Sequence, residues 1–265
     1  MAMITFNEYL IKSCRDKNNR LCIGLDFDNR KLRDNSIEYL IGFIKDTIEA
    51  TIDLCPIYKI NFAFYERLGS KGYDLLNKIT EIINGRAITI ADGKRGDIGN
   101  SSKYYAEAIF NTLNYDSITV SPYMGEDSIS PFCNNQSKGV FILCLTSNKG
   151  SDNFQNQIIK NQELYIHVSK LALDLNKNNN IGLVVGATKN DKMKKIKKYS
   201  GNLPWLIPGV GFQGGSLEDS IKIGSLNKAI PIINVSRGII YAGNGSIKAI
   251  RDATENYTKK IRSIL

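Results

Sequence analysis

The sequence predicts an α/β protein folded as a closed (β/α)8 barrel, with one extra helix ahead of the first strand. Three observations lead there. Eight short apolar runs rich in β-branched residues recur along the chain, helical patterns lie between them, and polar side chains gather where the runs end.

Residues 1–19 come first. Phe6, Tyr9, Leu10 and Cys14 fall on one side of a helix there, which predicts an apolar plug for the barrel floor. The apolar runs then occupy residues 21–25, 56–60, 87–91, 117–120, 139–145, 181–186, 205–208 and 231–235. Most are apolar along nearly their whole length instead of alternating, the pattern of parallel strands covered on both faces. Residues 35–54, 73–84, 101–113, 156–177 and 217–226 carry apolar side chains at three- and four-residue spacing and read as helices. Eight such units in 265 residues suit a barrel. An open doubly wound sheet shares the alternation and is the second reading. No linker-like stretch divides the chain, so residues 1–265 are expected to form a single domain.

Composition removes several function classes. No window approaches the roughly 18 apolar residues of a membrane span, and the first residues show no basic stretch followed by an apolar one. A soluble cytoplasmic protein without membrane association is expected. The five cysteines are scattered, with no Cys-x-x-Cys pair, which points to neither a disulfide framework nor a zinc ribbon. A single histidine, His167, rules out sites that need two, and its place in an amphipathic helix reads as structural. The net charge of +9 comes from lysines spread along the chain. The densest run, residues 189–198, keeps Met193 and Ile196 at helical spacing, so it reads as the solvated face of a helix and not as a nucleic-acid patch. A basic surface of this kind suits a phosphorylated substrate.

The polar residues at the strand ends carry the chemistry. Asp26 follows the first run, Lys59 and Asn61 end the second, and Asp92 and Lys94 follow the third. Ser121 and Tyr123 come after the fourth, Thr146-Ser147-Asn148 after the fifth, Gln213 after the seventh and Ser236-Arg237 after the eighth. In a barrel all of these meet on one rim, where active sites of this architecture lie. Asp92 and Lys94 are two apart and would project together from an extended strand. Burying an ion pair costs several kcal/mol per ion, so an apolar strand is not expected to end this way for stability. Lys59 interrupts an apolar run and needs a carboxylate partner for the same reason. Gly209, Gly211 and Gly214 match a dinucleotide-binding spacing, yet they follow the seventh strand, and Asn234 stands where a ribose-binding acid would be expected. With the Ser236-Arg237-Gly238 turn they instead fit a barrel phosphate site.

Together these segments resemble the orotidine 5′-phosphate decarboxylase family, in its longer bacterial and protozoan-like branch, over about residues 21–242. The motifs that carry the resemblance are Gly24-Leu25-Asp26, Tyr58-Lys59-Ile60-Asn61, Asp92-Gly93-Lys94-Arg95-Gly96-Asp97-Ile98-Gly99, Ser121-Pro122-Tyr123-Met124-Gly125, Thr146-Ser147-Asn148, the Pro208 to Gly215 segment and Asn234-Val235-Ser236-Arg237-Gly238. The resemblance implies decarboxylation of orotidine 5′-phosphate to UMP in pyrimidine biosynthesis, without metal or cofactor, by a carbon-carbon lyase. It implies a catalytic network of Lys59, Asp92, Lys94 and Asp97, with Lys94 stabilising and protonating a C6 carbanion. Asp26 and Asn61 would hold the ribose, Ser147 would read the pyrimidine edge, and Pro208, Gln213, Ser236 and Arg237 would form the phosphate end. Asp97, Ile98 and Ser101 would reach across a homodimer interface, and association with an orotate phosphoribosyltransferase chain is allowed. Ser101 stands where threonine is commoner and Phe212 where a small residue is usual, which bears on ribose contact and loop packing. Two other readings are a magnesium-dependent sugar-phosphate decarboxylase sharing the Asp-x-Lys-x-x-Asp core, and a silent nucleotide sensor or RNA-binding barrel.

Overall fold

The computed structural model describes residues 4–187, 189–211 and 214–265. Ten strands follow in chain order: β1 (Leu21–Gly24), β2 (Ile57–Asn61), β3 (Ile88–Arg95), β4 (Ser117–Val120), β5 (Gly139–Leu145), β6 (Ile158–Ile159), β7 (Gln162–Glu163), β8 (Ile181–Val185), β9 (Trp205–Pro208) and β10 (Pro231–Val235). All but β6 and β7 form a closed parallel barrel in the order β1-β10-β9-β8-β5-β4-β3-β2. The pairing Leu21↔Ile233 closes the ring and sets aside the open-sheet alternative.

The helices are α1 (Phe6–Asp16), α2 (Ile37–Thr51), α3 (Ala63–Glu66), α4 (Ser70–Ile83), α5 (Gly99–Glu107) and α6 (Glu126–Cys133). They continue with α7 (Leu164–Leu175), α8 (Asn190–Lys197), α9 (Leu217–Gly224), α10 (Arg237–Ile240) and α11 (Ile247–Arg262). None among the described residues is long and apolar enough to cross a membrane.

Strand alternation divides the core in two. Tyr58 and Ile60 point outward into the layer under the helices, whereas Ile57 points into the barrel with Cys22, Ile88, Ile90, Phe141, Leu206 and Ile232. The floor of that interior is closed by α1, as expected. Thr5 and Glu8 form a capping box that starts this helix, and Phe6, Leu10 and Cys14 join the interior cluster. Phe6 meets Phe141 edge to face at 6.0 Å, and a side chain at Gly139 would place its Cβ 2.2 Å from the Phe6 ring, so β5 has to begin with glycine. Burying a ring of this size contributes about 1.5–3 kcal/mol.

The structure departs from the sequence expectation in three places. The expected helix over 156–177 begins only at Leu164, because β6 and β7 form a hairpin whose turn residues Lys160 and Asn161 have φ of 46° and 63°. Both turn positions of the tightest hairpins need positive φ, and Asn161 was the available signal. The expected helix over 101–113 runs as α5 and then widens to a π-turn over Ala108–Thr112. The lysine-rich helix α8 buries Met193 and Ile196 as expected, but it also buries Lys197, which is only 2% exposed. Its ammonium lies 4.7 Å from the centre of the Trp205 ring and has no hydrogen-bond partner among the described residues.

Burial lowers the pKa of Lys197 from 10.5 to about 8. Between these values the unfolded chain binds more protons than the folded one, so this residue makes stability rise with pH across that window and costs most below it. Lys197→Met keeps the stem and removes the charge. Thermal melts at pH 7 should show the variant melting about 2–4 °C above the parent, with the gap closing as pH rises from 8 to 10.5. A gap that does not change with pH would contradict this account.

Candidate active site

The rim at the C-terminal ends of the strands holds a chain of alternating charges. Lys59, the central residue of β2, is 4% exposed; its Nζ lies 2.9 Å from Asp92 Oδ2 and 3.5 Å from Asp26 Oδ1. Asp92 Oδ1 in turn accepts from Lys94 Nζ at 2.6 Å and from the Thr119 hydroxyl at 2.9 Å. Asp26 is steadied by the Asn61 backbone N–H at 3.2 Å. Gly24 lets β1 approach β10 here, since a Cβ on it would sit 2.8 Å from the Ser236 Cβ.

Burial by itself would lower the pKa of Lys59, but the Asp26 and Asp92 carboxylates outweigh it and hold the ammonium above the ordinary lysine range. Burial would raise that of Asp92, and Lys59 with Lys94 overrides it, pushing the carboxyl well below the usual range. Both groups are therefore charged at neutral pH.

Asp92 and Lys94 do meet, though not by simple strand alternation. Between the pairs Ala91↔Ile118 and Arg95↔Val120, β3 advances four residues while β4 advances two. This bulge puts Lys94 at φ 47°, and its N–H donates to Thr119 Oγ1 at 3.0 Å. A non-glycine residue in the left-handed region is held there by its surroundings. The lysine side chain remains 48% exposed and opens into the cavity above.

That cavity has a volume of about 650 Å³ and takes in Asp26, Lys59, Asn61, Asp92, Lys94, Ser147, Pro208, Ser236 and Arg237 from the sequence-predicted set. Leu143, Val184 and Leu206 make its apolar floor. Gly209 and Gly238 border its far end beside Arg237, and the backbone at Gly209 has φ 94°. The arrangement thus joins a charged end, an apolar floor and an anion-binding end. Such a cavity suits a phosphorylated molecule with a flat, partly apolar body.

Other expected residues do not line this cavity, among them the three expected to act across an interface. Asp97 accepts from the N–H of Ile98 at 2.8 Å, Ile98 is 62% exposed, and Ser101 lies on the outer surface of α5; none lines this chain's cavity. Tyr123 is 80% exposed and meets Phe154 edge to face; neither it nor Ser121 is among the residues lining the cavity. Ser121 N–H continues the ladder by donating to Arg95 O at 2.7 Å, and Pro122 follows it. Gln213 and Phe212 lie outside the described residues. His167 has its Nε2 2.7 Å from Ile159 O, tying α7 to the hairpin and away from the cavity. All five cysteines are buried and free. Among the described residues, no cluster of three or more His, Cys, Asp or Glu side chains is placed to hold a metal ion.

The sequence reading missed Thr119, Lys31 and Tyr241, all of which line the cavity. Thr119 was hidden inside an apolar run. Its signal was phase: it shares the inward face of β4, and β4 pairs with the charged strand. Tyr241 follows two isoleucines and carries no motif; its hydroxyl accepts the Asp28 N–H at 2.8 Å, and Lys31 lies over its ring at 5.8 Å.

Three comparisons bear on identity. A protein of Dehalococcoides mccartyi named orotidine 5′-phosphate decarboxylase is 45% identical over 96% of this chain and 99% of its own length. The solved structure of Leishmania donovani OMP decarboxylase superposes with a TM-score of 0.88 at 34% identity, covering 98% of both chains. That of Leishmania donovani UMP synthase gives 0.90 at 35% identity, covering 99% of this chain and 57% of the longer one. The family profile described as orotidine 5′-phosphate decarboxylase / HUMPS matches residues 19–252, and with relatives this close over their full length, the chain belongs to that family.

Proposed function

We propose that this chain decarboxylates orotidine 5′-phosphate to UMP without metal or cofactor, with Lys94 stabilising and then protonating the C6 carbanion. The activity itself follows from the family: the chain is an orotidine 5′-phosphate decarboxylase, a carbon-carbon lyase of pyrimidine biosynthesis. The observation that carries the mechanism is the Lys94 ammonium, 2.6 Å from Asp92 and facing a cavity with an apolar floor and Arg237 at its far end.

Cleavage of the bond from C6 to the carboxylate releases neutral CO2 and leaves the electron pair on C6, which has no electron sink in the ring. An ammonium about 4 Å from that charge supplies about 4 kcal/mol at an effective dielectric near 20, and exclusion of water strengthens it. Lys94 then gives a proton to C6 as general acid and is left as an amine to be reprotonated from solvent. Asp92 keeps the ammonium in place, and its own charge repels the substrate carboxylate. Asp26 and Asn61 would meet the ribose, Ser147 the pyrimidine edge, and Pro208, Ser236, Arg237 and Gln213 the phosphate. Grip on the phosphate, remote from the bond that breaks, can be used to organise the charged end.

The same reading makes Asp97, Ile98 and Ser101 groups that complete the site of a second copy. Ile98, Tyr104, Tyr105, Tyr123 and Met124 form a run of exposed large side chains around β3 and β4, which supports pairing of two chains through that face. A cytoplasmic enzyme of one domain, supplied by a separate orotate phosphoribosyltransferase, fits this picture. The rival magnesium-dependent sugar-phosphate decarboxylase shares the charged core; the Thr146-Ser147-Asn148 and Gly211-Phe212-Gln213-Gly214-Gly215 sequence segments favour orotidylate.

Purified protein mixed with orotidylate should consume the orotate chromophore at the same rate with and without EDTA. Lys94→Ala should lose roughly 10⁴-fold or more in kcat, combining the lost proton donor and the lost charge, with its circular dichroism spectrum unchanged. Near-normal turnover by that variant would remove Lys94 from the mechanism. Mixing inactive Lys94→Ala with inactive Asp97→Asn tests the shared site. Random pairing should restore about a quarter of full activity, since one site in each mixed dimer is intact. No recovery after subunit exchange has been verified would mean that Asp97 does not act in the neighbour's site.

A further inference from the structure

We propose that Thr119 is a positioning residue for the reaction, whose single hydroxyl fixes the Asp92 carboxylate and the Lys94 backbone at the same time. The inference rests on the decarboxylase reading above and extends it to a residue outside the charged motif.

Thr119 is 1% exposed and sits on the inward face of β4, bordering the cavity. A hydroxyl has one proton to give and lone pairs to receive. The Asp92 carboxylate can only accept, so the 2.9 Å contact with Oδ1 uses the proton of Thr119. The Lys94 N–H can only donate, so the 3.0 Å contact uses a lone pair. One group therefore holds both ends of the three-residue unit from Asp92 to Lys94, and each contact fixes the direction of the other.

The bulge explains why such a group is needed. Where β3 has two residues in excess over β4, the regular ladder cannot supply the Lys94 N–H with a backbone carbonyl, and Thr119 supplies an oxygen in its place. Lys94 itself is held at φ 47°. Asp92 Oδ2 is taken by Lys59 at 2.9 Å, leaving Oδ1 to Lys94 and Thr119. Without the hydroxyl, the carboxylate is free to turn about the Lys59 contact and the Lys94 peptide loses its anchor. The ammonium then has no fixed position relative to the carbon that becomes charged, and small misplacements of a reacting group cost rate more than binding.

Thr119→Val keeps shape and β propensity and removes only the hydroxyl; Thr119→Ser restores it. The experiment measures kcat, and separately the dissociation constant for UMP, for both variants and the parent. Thr119→Val should lose roughly 10- to 100-fold in kcat, the range for leaving buried polar and charged groups short of one partner. UMP binding should stay within about threefold, and Thr119→Ser should recover most of the loss. A Thr119→Val enzyme within about twofold of the parent in kcat would overturn the proposal. So would a parallel loss of kcat and UMP binding with serine no better than valine, which would make the residue merely structural. Should the valine variant fail to fold, Thr119→Ser against Thr119→Ala repeats the comparison with a pair differing only by the hydroxyl. An inactive parent enzyme would instead sink the decarboxylase reading.

Discussion

The structure of the site depends on the buried carboxylate of Asp92. It lies at the end of an apolar strand, 8% exposed, and a bare charge there would cost several kcal/mol. Lys59 at 2.9 Å and Lys94 at 2.6 Å make it tolerable, and Asp26 at 3.5 Å offsets the second positive charge of the pair. Two carboxylates and two ammoniums thus form a neutral array. Its members are unequal in freedom: Lys59 is enclosed, whereas nearly half of the Lys94 side chain faces the cavity. The enclosed lysine therefore secures the carboxylate, and the open one is left to face a ligand.

An array of this kind needs a frame that does not yield. The barrel interior beneath it is filled by Ile57, Ile88, Ile90, Phe141, Leu206 and Ile232, and α1 seals the opposite end with Phe6, Leu10 and Cys14. The side of the charges that faces the floor is therefore apolar, and the polar surroundings lie on the cavity side. On the flank, the Arg95 guanidinium is stacked between the rings of Phe62 and Tyr105 at 5.6 and 5.4 Å and pairs with Glu66, which ties the end of the bulge to α3 and α5. Asp92 before the strained position and Arg95 after it are thus anchored to different layers, the first inside the barrel and the second outside.

How much of this could be read from the sequence varies with the range of the interaction involved. The barrel strands were legible because burial on both faces leaves a short run apolar throughout, which depends on local composition alone. Lys59 and Asp92 were legible as charges where the pattern demanded none. The bulge was not, since two inserted residues on β3 show only against the register of β4. Thr119 was concealed for the same reason: a threonine in a strand is ordinary until its neighbour across the sheet is known. Lys197 looked solvated because its helix is rich in lysine, and only the packing of α8 over Trp205 distinguishes it from the others.

The bulge also settles a problem of direction. Lys94 must turn into the barrel, whereas Asp97 and Ile98, a few residues on, lie outside it, with Ile98 largely in solvent. A regular strand leaving the rim would carry all of them along one line. By inserting two residues and admitting one left-handed conformation, β3 ends with its lysine inside and sends the following segment across the outer face. In the proposed dimer a single hexapeptide then serves two cavities, its own through Lys94 and the neighbour's through Asp97. The strain at Lys94 is the local cost of that division, and the hydrogen bond from its amide to Thr119 is where the fold offsets it.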